Sequence, residues 1–373
     1  MATVSGTDRL RDLHAFDDTK AGVKGLVDAG VTTVPYFFRH HPDPLPVAAP
    51  SEAASAIPLI DLAKADVDRG RVVAEVRAAA ETVGFFQVVN HGVAGELMDE
   101  MLAAVRRFNE EPLEAKVPYY TRDVANKVRF SSNFDLFRSP AANWRDTMFV
   151  EMFPEVPSPE EIPPPCRGVL EEYAAAVRRL GERLFELMRW ASLRGYLGRD
   201  AGGTDGLSVA AHYYPACPEP EATMGATKHS DPTFLTVLLQ DKSSGLQAVL
   251  PRPRGAVGGC APRGRRAGGE RRRPPPAGVE REAPERGAPG AAHRRRRAGS
   301  RVGGVLLQPR VLVDEAVRPV VGGGSGARAA AVYRSTTAGE FLAHYNGKGL
   351  DGRSALDHFR IPAAAASPPP PPQ

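Results

Sequence analysis

The sequence predicts an α+β chain with a mainly-β core behind an N-terminal α/β region. Three features carry that expectation. Parts of the first half repeat apolar residues at the helical period, above all Arg69–Val83 and Val169–Ala191. Short apolar runs of strand length lie between and after them, at Ile57–Leu62, Gly84–Val89, Ser208–Tyr214 and Phe234–Leu239. After Gln247 the pattern stops: no Phe, Trp or Tyr occurs between Phe234 and Tyr333, and Gly, Pro, Ala and Arg dominate.

Taken in order, Asp8–Leu26 reads as a helical lead, followed by a connector through Pro35, Pro42, Pro44 and Pro46. Arg69–Val83 puts Val72, Val73, Val76, Ala79 and Ala80 on one side. Another helix runs on from Gly92 through Met98, Met101, Leu102 and Val105. Asn133–Phe137 and Trp144–Phe153 read as strands or extended loop edges, and Pro154–Pro165 as a boundary loop. Val169–Ala191 spaces Leu170, Tyr173, Val177, Leu180, Leu184 and Leu187 for one face. Order returns at Tyr333–Leu350, a helix ending near Gly347 and Gly349, and Ala363–Gln373 is a Pro-rich tail. The expected divisions are 1–50, 51–165, 166–331 and 332–373.

With 373 residues the chain can bury a large core in one to three domains. No apolar run is long enough to cross a bilayer, so no membrane partner is expected. Met1–Asp17 is polar and carries acids, unlike a secretory signal or typical transit peptide, and a cytoplasmic location is expected. Cys166, Cys217 and Cys260 are too far apart for a disulfide framework or zinc knuckle and read as reduced thiols. The net charge of +4 is local in origin. Residues 251–301 hold fifteen arginines against four glutamates, a surplus larger than the whole, so the remaining chain is acidic. Nucleic-acid binders spread charge over a face; this chain confines it to one block.

Chemistry concentrates at His229-Ser230-Asp231, within Thr227–Gln247. Residues two apart on an extended backbone point to the same side. One imidazole and one carboxylate there grip a single cation. Two histidines and one carboxylate on one face of an octahedron hold Fe(II) and leave positions open for substrate and oxygen. The triplet supplies two of those three ligands.

With its flanks, this segment resembles the plant 2-oxoglutarate- and Fe(II)-dependent dioxygenases, closest to the branch of 1-aminocyclopropane-1-carboxylate oxidase homologues that includes DIBOA-glucoside dioxygenase. Phe16–Leu26 is similar to that branch's N-terminal signature, and Ile57–Leu62 and Gly84–Val93 to the N-terminal domain of the wider family. His212-Tyr213-Tyr214-Pro215-Ala216-Cys217-Pro218 sits ahead of the triplet in family order. The likeness covers about residues 8–247 and resumes at Val332–Pro362.

The resemblance implies a double-stranded β-helix (jelly roll) over 166–331 behind a dioxygenase N-terminal domain over 51–165. It implies Fe(II) held by His229 and Asp231, 2-oxoglutarate as co-substrate contacted by Tyr214, ascorbate as reductant and O2 as oxidant. The organic substrate is a small plant specialised metabolite that is hydroxylated, with benzoxazinoid glucosides one candidate class, and the protein is expected to be a monomer. His212 stands where many relatives carry asparagine. Arginine suits the far carboxylate of 2-oxoglutarate because its fork forms two parallel hydrogen bonds.

Over residues 248–331 the barrel is expected to be incomplete and the chain disordered, since strands need alternating apolar positions and large side chains. Reading each codon one base later changes the picture. With the third bases free, which leaves about four residues possible per position, Ala256–Pro262 can then encode R-W-V-D-V-P-P, Glu270–Pro276 can encode N-V-G-D-L-L-Q, and Ala277–Glu280 can continue L-V-S-N. Glu285–Ala291 can encode S-V-E-H-R-V-L, and Ser300–Pro309 can encode R-G-S-A-A-C-F-F-S-P. These resemble the family's remaining motifs, in order and from one offset. Among them are the third iron-binding histidine, overlapping Ala288, and the R-x-S that binds 2-oxoglutarate, overlapping Ser300–Val302. A frameshift, or a sequencing or gene-structure error, is therefore preferred to an arginine-rich insert, and the written chain is expected to be inactive.

Among the other candidates, His91 reads as a turn residue, and His344 and His358 as packing or surface groups. His293 sits among Arg294–Arg297, whose charge opposes a further cation. Phe134 and Trp144 lie where the N-terminal domain approaches the substrate pocket, as core or as pocket lining. Two other functions stay open: a non-catalytic small-molecule-binding protein on the same fold, and an arginine-rich nucleic-acid binder. The missing stacking aromatics oppose the latter.

Overall fold

The computed structural model describes residues 6–40, 57–191, 206–233, 235–241, 246–249, 257–260, 299–308, 316–317, 334, 336–351 and 353–361. The lead forms two helices, α1 (Gly6–Asp18) and α2 (Gly22–Asp28), instead of the single expected one. The break is local: Lys20 and Gly22 adopt φ of 53° and 64°, which no helix continues. At Gly22 the chain also passes so close to Asp146 that a Cβ would lie 2.4 Å from its Oδ1. That approach lets the buried Asp146 carboxylate accept the N–H groups of Val23 and Lys24, each at 2.8 Å.

β1 (Leu59–Asp61) and β2 (Gln87–Val89) pair in parallel, and α3 (Arg69–Thr82) makes the crossover between them. Asp68 caps α3 by accepting the Arg71 N–H at 3.0 Å. α4 (Gly95–Glu110) follows. β3 (Val128–Ser132) and β4 (Asp146–Phe153) open the main sheet, and α5 spans the expected Val169–Ala191. Asn133–Phe137, expected as a strand or extended loop edge, is a turn, because Asn133 takes φ of 53° and ends β3.

β5 (Gly206–Tyr214) and β6 (Leu235–Gln240) complete the predicted strands. β7 (Leu246–Val249) pairs with β8 (Val257–Cys260), and β9 (Gly299–Gln308) enters the main sheet, whose order is β3-β4-β5-β9-β6 with every neighbour antiparallel. β10 (Ala316–Val317) pairs with β11 (Thr336–Thr337), ahead of α6 (Ala338–Lys348). α6 begins later than expected because Thr337 and Glu340 form a capping box.

Within 248–331, where disorder is expected, the described residues include the end of β7 and the strands β8, β9 and β10, and the rest of that span lies outside the described residues. β9 contains the apolar run Val305-Leu306-Leu307. This run ladders onto β5 on one side and β6 on the other, satisfying edges that would otherwise stay open.

One face of the main sheet packs on α4 and α5. Met148, Val150, Met152, Leu207, Val209 and Ala211 share a core with Met101, Val105, Phe108, Leu170, Val177 and Leu184. A second core joins Leu13, Phe16, Val23, Phe37 and Phe38 to Leu136 and Trp144, and so docks the lead. Among the described residues no helix is long and apolar enough to cross a membrane. Cys166 is buried and Cys217 half-buried, both free.

Candidate metal and co-substrate site

Strand alternation divides β5 between the two faces of the sheet. Tyr213 is buried and bonds through its hydroxyl to Glu110 of α4. His212 and Tyr214 are only partly buried, with ring centroids 6.4 Å apart. His212 sits opposite Thr147 of β4, and its Nδ1 lies 2.9 Å from the Thr147 hydroxyl. Gly225 presses on the Tyr214 ring: a Cβ there would meet it at 2.7 Å.

Beyond β5 the chain returns across Asn143 and Trp144 before reaching the metal triplet. Trp144 N–H donates to the Met224 carbonyl at 2.7 Å, and the Thr227 hydroxyl to Asn143 Oδ1 at 2.8 Å. Thr227 then orients His229, whose Nδ1 lies 2.6 Å from the Thr227 carbonyl. A carbonyl only accepts, so Nδ1 carries a proton and Nε2 is the atom left for a cation. Metal-bound histidines are held in this way by their second nitrogen.

His229 Nε2 lies 3.3 Å from Asp231 Oδ1. Two ligand atoms about 2.1 Å from one ion and at right angles lie about 3 Å apart. The pair therefore suits one octahedral cation. Burial pushes the Asp231 carboxyl up, but the hydrogen bonds from His229 and Thr236 outweigh it and hold the group below its usual range. His212 also acts electrostatically on Asp231, which places it in the same neighbourhood. The fit stops at two ligands. Among the described residues no group of three or more His, Cys, Asp and Glu could hold a metal.

The remaining candidates fall elsewhere. His91 accepts the Val93 N–H at 3.2 Å in a turn, as expected. His344 and His358 stack on each other at 4.1 Å beside Phe359, a packing role. Trp144 is 3% exposed against Phe38 and belongs to the core, whereas Phe134 is 46% exposed and stacks on Tyr345. His293 lies outside the described residues. Thr227, Thr236, Asn143 and Tyr345 were not anticipated. The one signal in their favour was that Thr227 and Thr236 flank the triplet.

Residues 57–170 match the family described as non-haem dioxygenase in morphine synthesis N-terminal, and residues 206–258 match the 2OG-Fe(II) oxygenase superfamily. The chain is 45% identical over 251 residues to 1-aminocyclopropane-1-carboxylate oxidase homolog 1 of Arabidopsis thaliana, covering 66% of this chain and 69% of that protein. Against homolog 3 of the same plant it is 38% identical over 383 residues, covering 95% and 97%. Deacetoxyvindoline 4-hydroxylase of Catharanthus roseus is 44% identical over 257 residues, covering 67% and 64%.

Among solved structures, JOX2 in complex with 2OG, Fe and JA superposes with a TM-score of 0.63 at 21% identity, over 91% of this chain and 98% of that one. The rice dioxygenase for auxin oxidation gives 0.56 at 20%, over 82% and 100%. At such identities the likeness concerns the fold, which is the double-stranded β-helix of 2OG-Fe(II) oxygenases. The family works with Fe(II) and 2-oxoglutarate. Similarity to homolog 3 along nearly its whole length, with both family matches in order, makes this chain a member of the 2-oxoglutarate- and Fe(II)-dependent dioxygenases of plants.

Proposed function

We propose that the locus encodes an oxygenase that hydroxylates a small plant specialised metabolite, and that the chain as written has lost this activity through a one-base shift across about residues 248–331. In this reading His229 and Asp231 bind iron and Tyr214 contacts 2-oxoglutarate. The observation that carries it is the half-built metal site. Thr227 orients His229 toward Asp231, yet no third ligand stands among the described residues. A site built from the start for another purpose would not need that orientation.

Two further observations support the shift. The oxygenase match ends at residue 258, a few residues into the arginine-rich block. Homologs 1 and 2 align over 66% and 64% of this chain, although homolog 3 aligns over 95%. Benzoxazinoid glucosides, proposed from the branch resemblance, belong in the first substrate panel. That no third ligand stands among the described residues equally favours a second reading, a binding protein that keeps the fold without the reaction. Sequencing the transcript across codons 245–335 separates them. A single-base difference restoring the histidine near 288 and the R-x-S near 300–302 is expected; an unaltered transcript would favour the binding protein.

A further inference from the structure

One buried cation has no ion-pair partner among the described residues. Arg145 is 5% exposed. Its backbone is engaged, with N–H donating to the Asn143 carbonyl at 2.9 Å and its carbonyl accepting the Ser132 hydroxyl at 3.1 Å. Its guanidinium, however, makes no hydrogen bond or ion pair among the described residues, and Nε is wholly enclosed. Neighbouring cations are treated differently. Lys116 Nζ donates to the Asn109 carbonyl at 2.9 Å, and Arg122 forks onto Asp17 with two bonds of 2.7 Å. An arginine left buried and unpaired is costly, and its persistence calls for a partner outside the chain.

Its location says what kind of partner. Arg145 stands one step beyond the Asp146–Tyr213 pair, beside the end of β5 that carries Tyr214. Arg145 and Asp231 both act electrostatically on Tyr345 of α6, so the three share one neighbourhood. The Asp231 carboxylate is meanwhile engaged by His229 and Thr236. Asn143 Nδ2, two residues earlier, is another buried donor without a partner. Nearby, Phe134, 46% exposed, stacks on the buried Tyr345 with centroids 6.4 Å apart and planes within 8°, and its ring is the apolar surface left open there.

We infer that Arg145 binds a carboxylate of the organic substrate, whose apolar body rests on the Phe134 ring. The planar fork of arginine matches a carboxylate in two parallel hydrogen bonds. The substrate class is thus a small aromatic or alicyclic monocarboxylate. Its hydroxylation rests on the oxygenase reading above, but its binding needs neither iron nor turnover. The other carboxylate that could reach this neighbourhood is that of 2-oxoglutarate, and the experiment separates the two.

The full chain is titrated calorimetrically with phenylacetate, cyclohexylacetate and indole-3-acetate, with the methyl ester of each, and with 2-oxoglutarate. At least one acid should bind ten-fold or more tightly than its ester. Arg145→Met should abolish that preference while leaving ester and 2-oxoglutarate affinities within two-fold, and Arg145→Lys should restore part of it. Because an unpaired buried cation is removed, Arg145→Met should also melt no lower than the parent chain. Equal binding of every acid and ester overturns the assignment. So does a loss of 2-oxoglutarate affinity, which would give Arg145 to the co-substrate, or a collapse of folding, which would make it structural. Failure of turnover alone would count against the oxygenase reading and leave the acid preference standing.

Discussion

Asp146→Asn tests how the N-terminal lead is locked to the sheet. Asp146 is fully buried, and its carboxylate accepts two backbone N–H groups from the start of α2. Burial pushes its pKa up to about 6 from the usual 3.8, although the N–H groups of Lys24 and Val23 and the charge of Lys116 pull the other way. A raised acid favours the folded state most when protonated. Its contribution is full below the unfolded value of about 3.8 and is lost as pH rises through about 6. Between pH 4.5 and pH 7 this group alone lowers stability by about 2 kcal/mol by linkage. Asparagine does not titrate and loses one acceptor, at a cost of about 1–3 kcal/mol. Urea unfolding of both chains at the two pH values isolates the group, since every other carboxylate is shared. The variant should be destabilised more at pH 4.5 than at pH 7, by about 2 kcal/mol. An equal or larger penalty at pH 7 would mean that the helix N-terminus holds Asp146 ionised, and would refute the reasoning.

Asp17→Asn should cost about 2–3 kcal/mol in urea unfolding at pH 7, because it strips Arg122 of its paired acceptor in a largely buried site. Burial raises the Asp17 carboxyl, but Arg122 and Tyr120 outweigh it and lower its pKa, so that stability is present above the unfolded value and lost as pH falls through the folded one. Val305→Pro should destabilise the fold by about 3 kcal/mol or more, since Val305 is laddered to both Val209 and Val237; an unchanged melt would remove β9 from the sheet. In the frame-restored chain, hydrogen exchange or a crystal structure should find β9 slipped by one residue. At present positions 300 and 302 face Tyr213 and Ala211, and the restored arginine and serine need the face of Tyr214.

The long apolar periods were the most legible part of the sequence. Val169–Ala191 is a helix to the residue because one face carries its whole burial pattern. Boundaries set by backbone conformation were not legible: the breaks at Lys20 and Asn133 depend on positive φ at residues that are not glycine. The Phe16–Leu26 signature was visible as a resemblance, but its physical work was hidden. Asp17 clamps Arg122, and Gly22 admits the Asp146 carboxylate, partners more than 100 residues away in sequence. The same holds at the site. His229 and Asp231 stand two apart in the chain and could be read from it, whereas the unpaired guanidinium of Arg145 shows only once burial is known. The short apolar run in β9 lies just past the arginine-rich block, and the missing aromatics around it left its strand illegible.

The most direct test of the central claim is 2-oxoglutarate turnover, measured as succinate released with Fe(II) and ascorbate, in the written chain and in one with its frame restored across 248–331. The written chain should release none above the enzyme-free control. The restored chain should turn over 2-oxoglutarate in an iron-dependent way that His229→Ala or Asp231→Ala abolishes by opening the metal shell. Tyr214→Phe should weaken its 2-oxoglutarate affinity only modestly, by the roughly 0.5–1.5 kcal/mol of one neutral hydrogen bond. Robust turnover by the written chain, or none by a folded, iron-loaded restored chain across the substrate panel, would contradict the account.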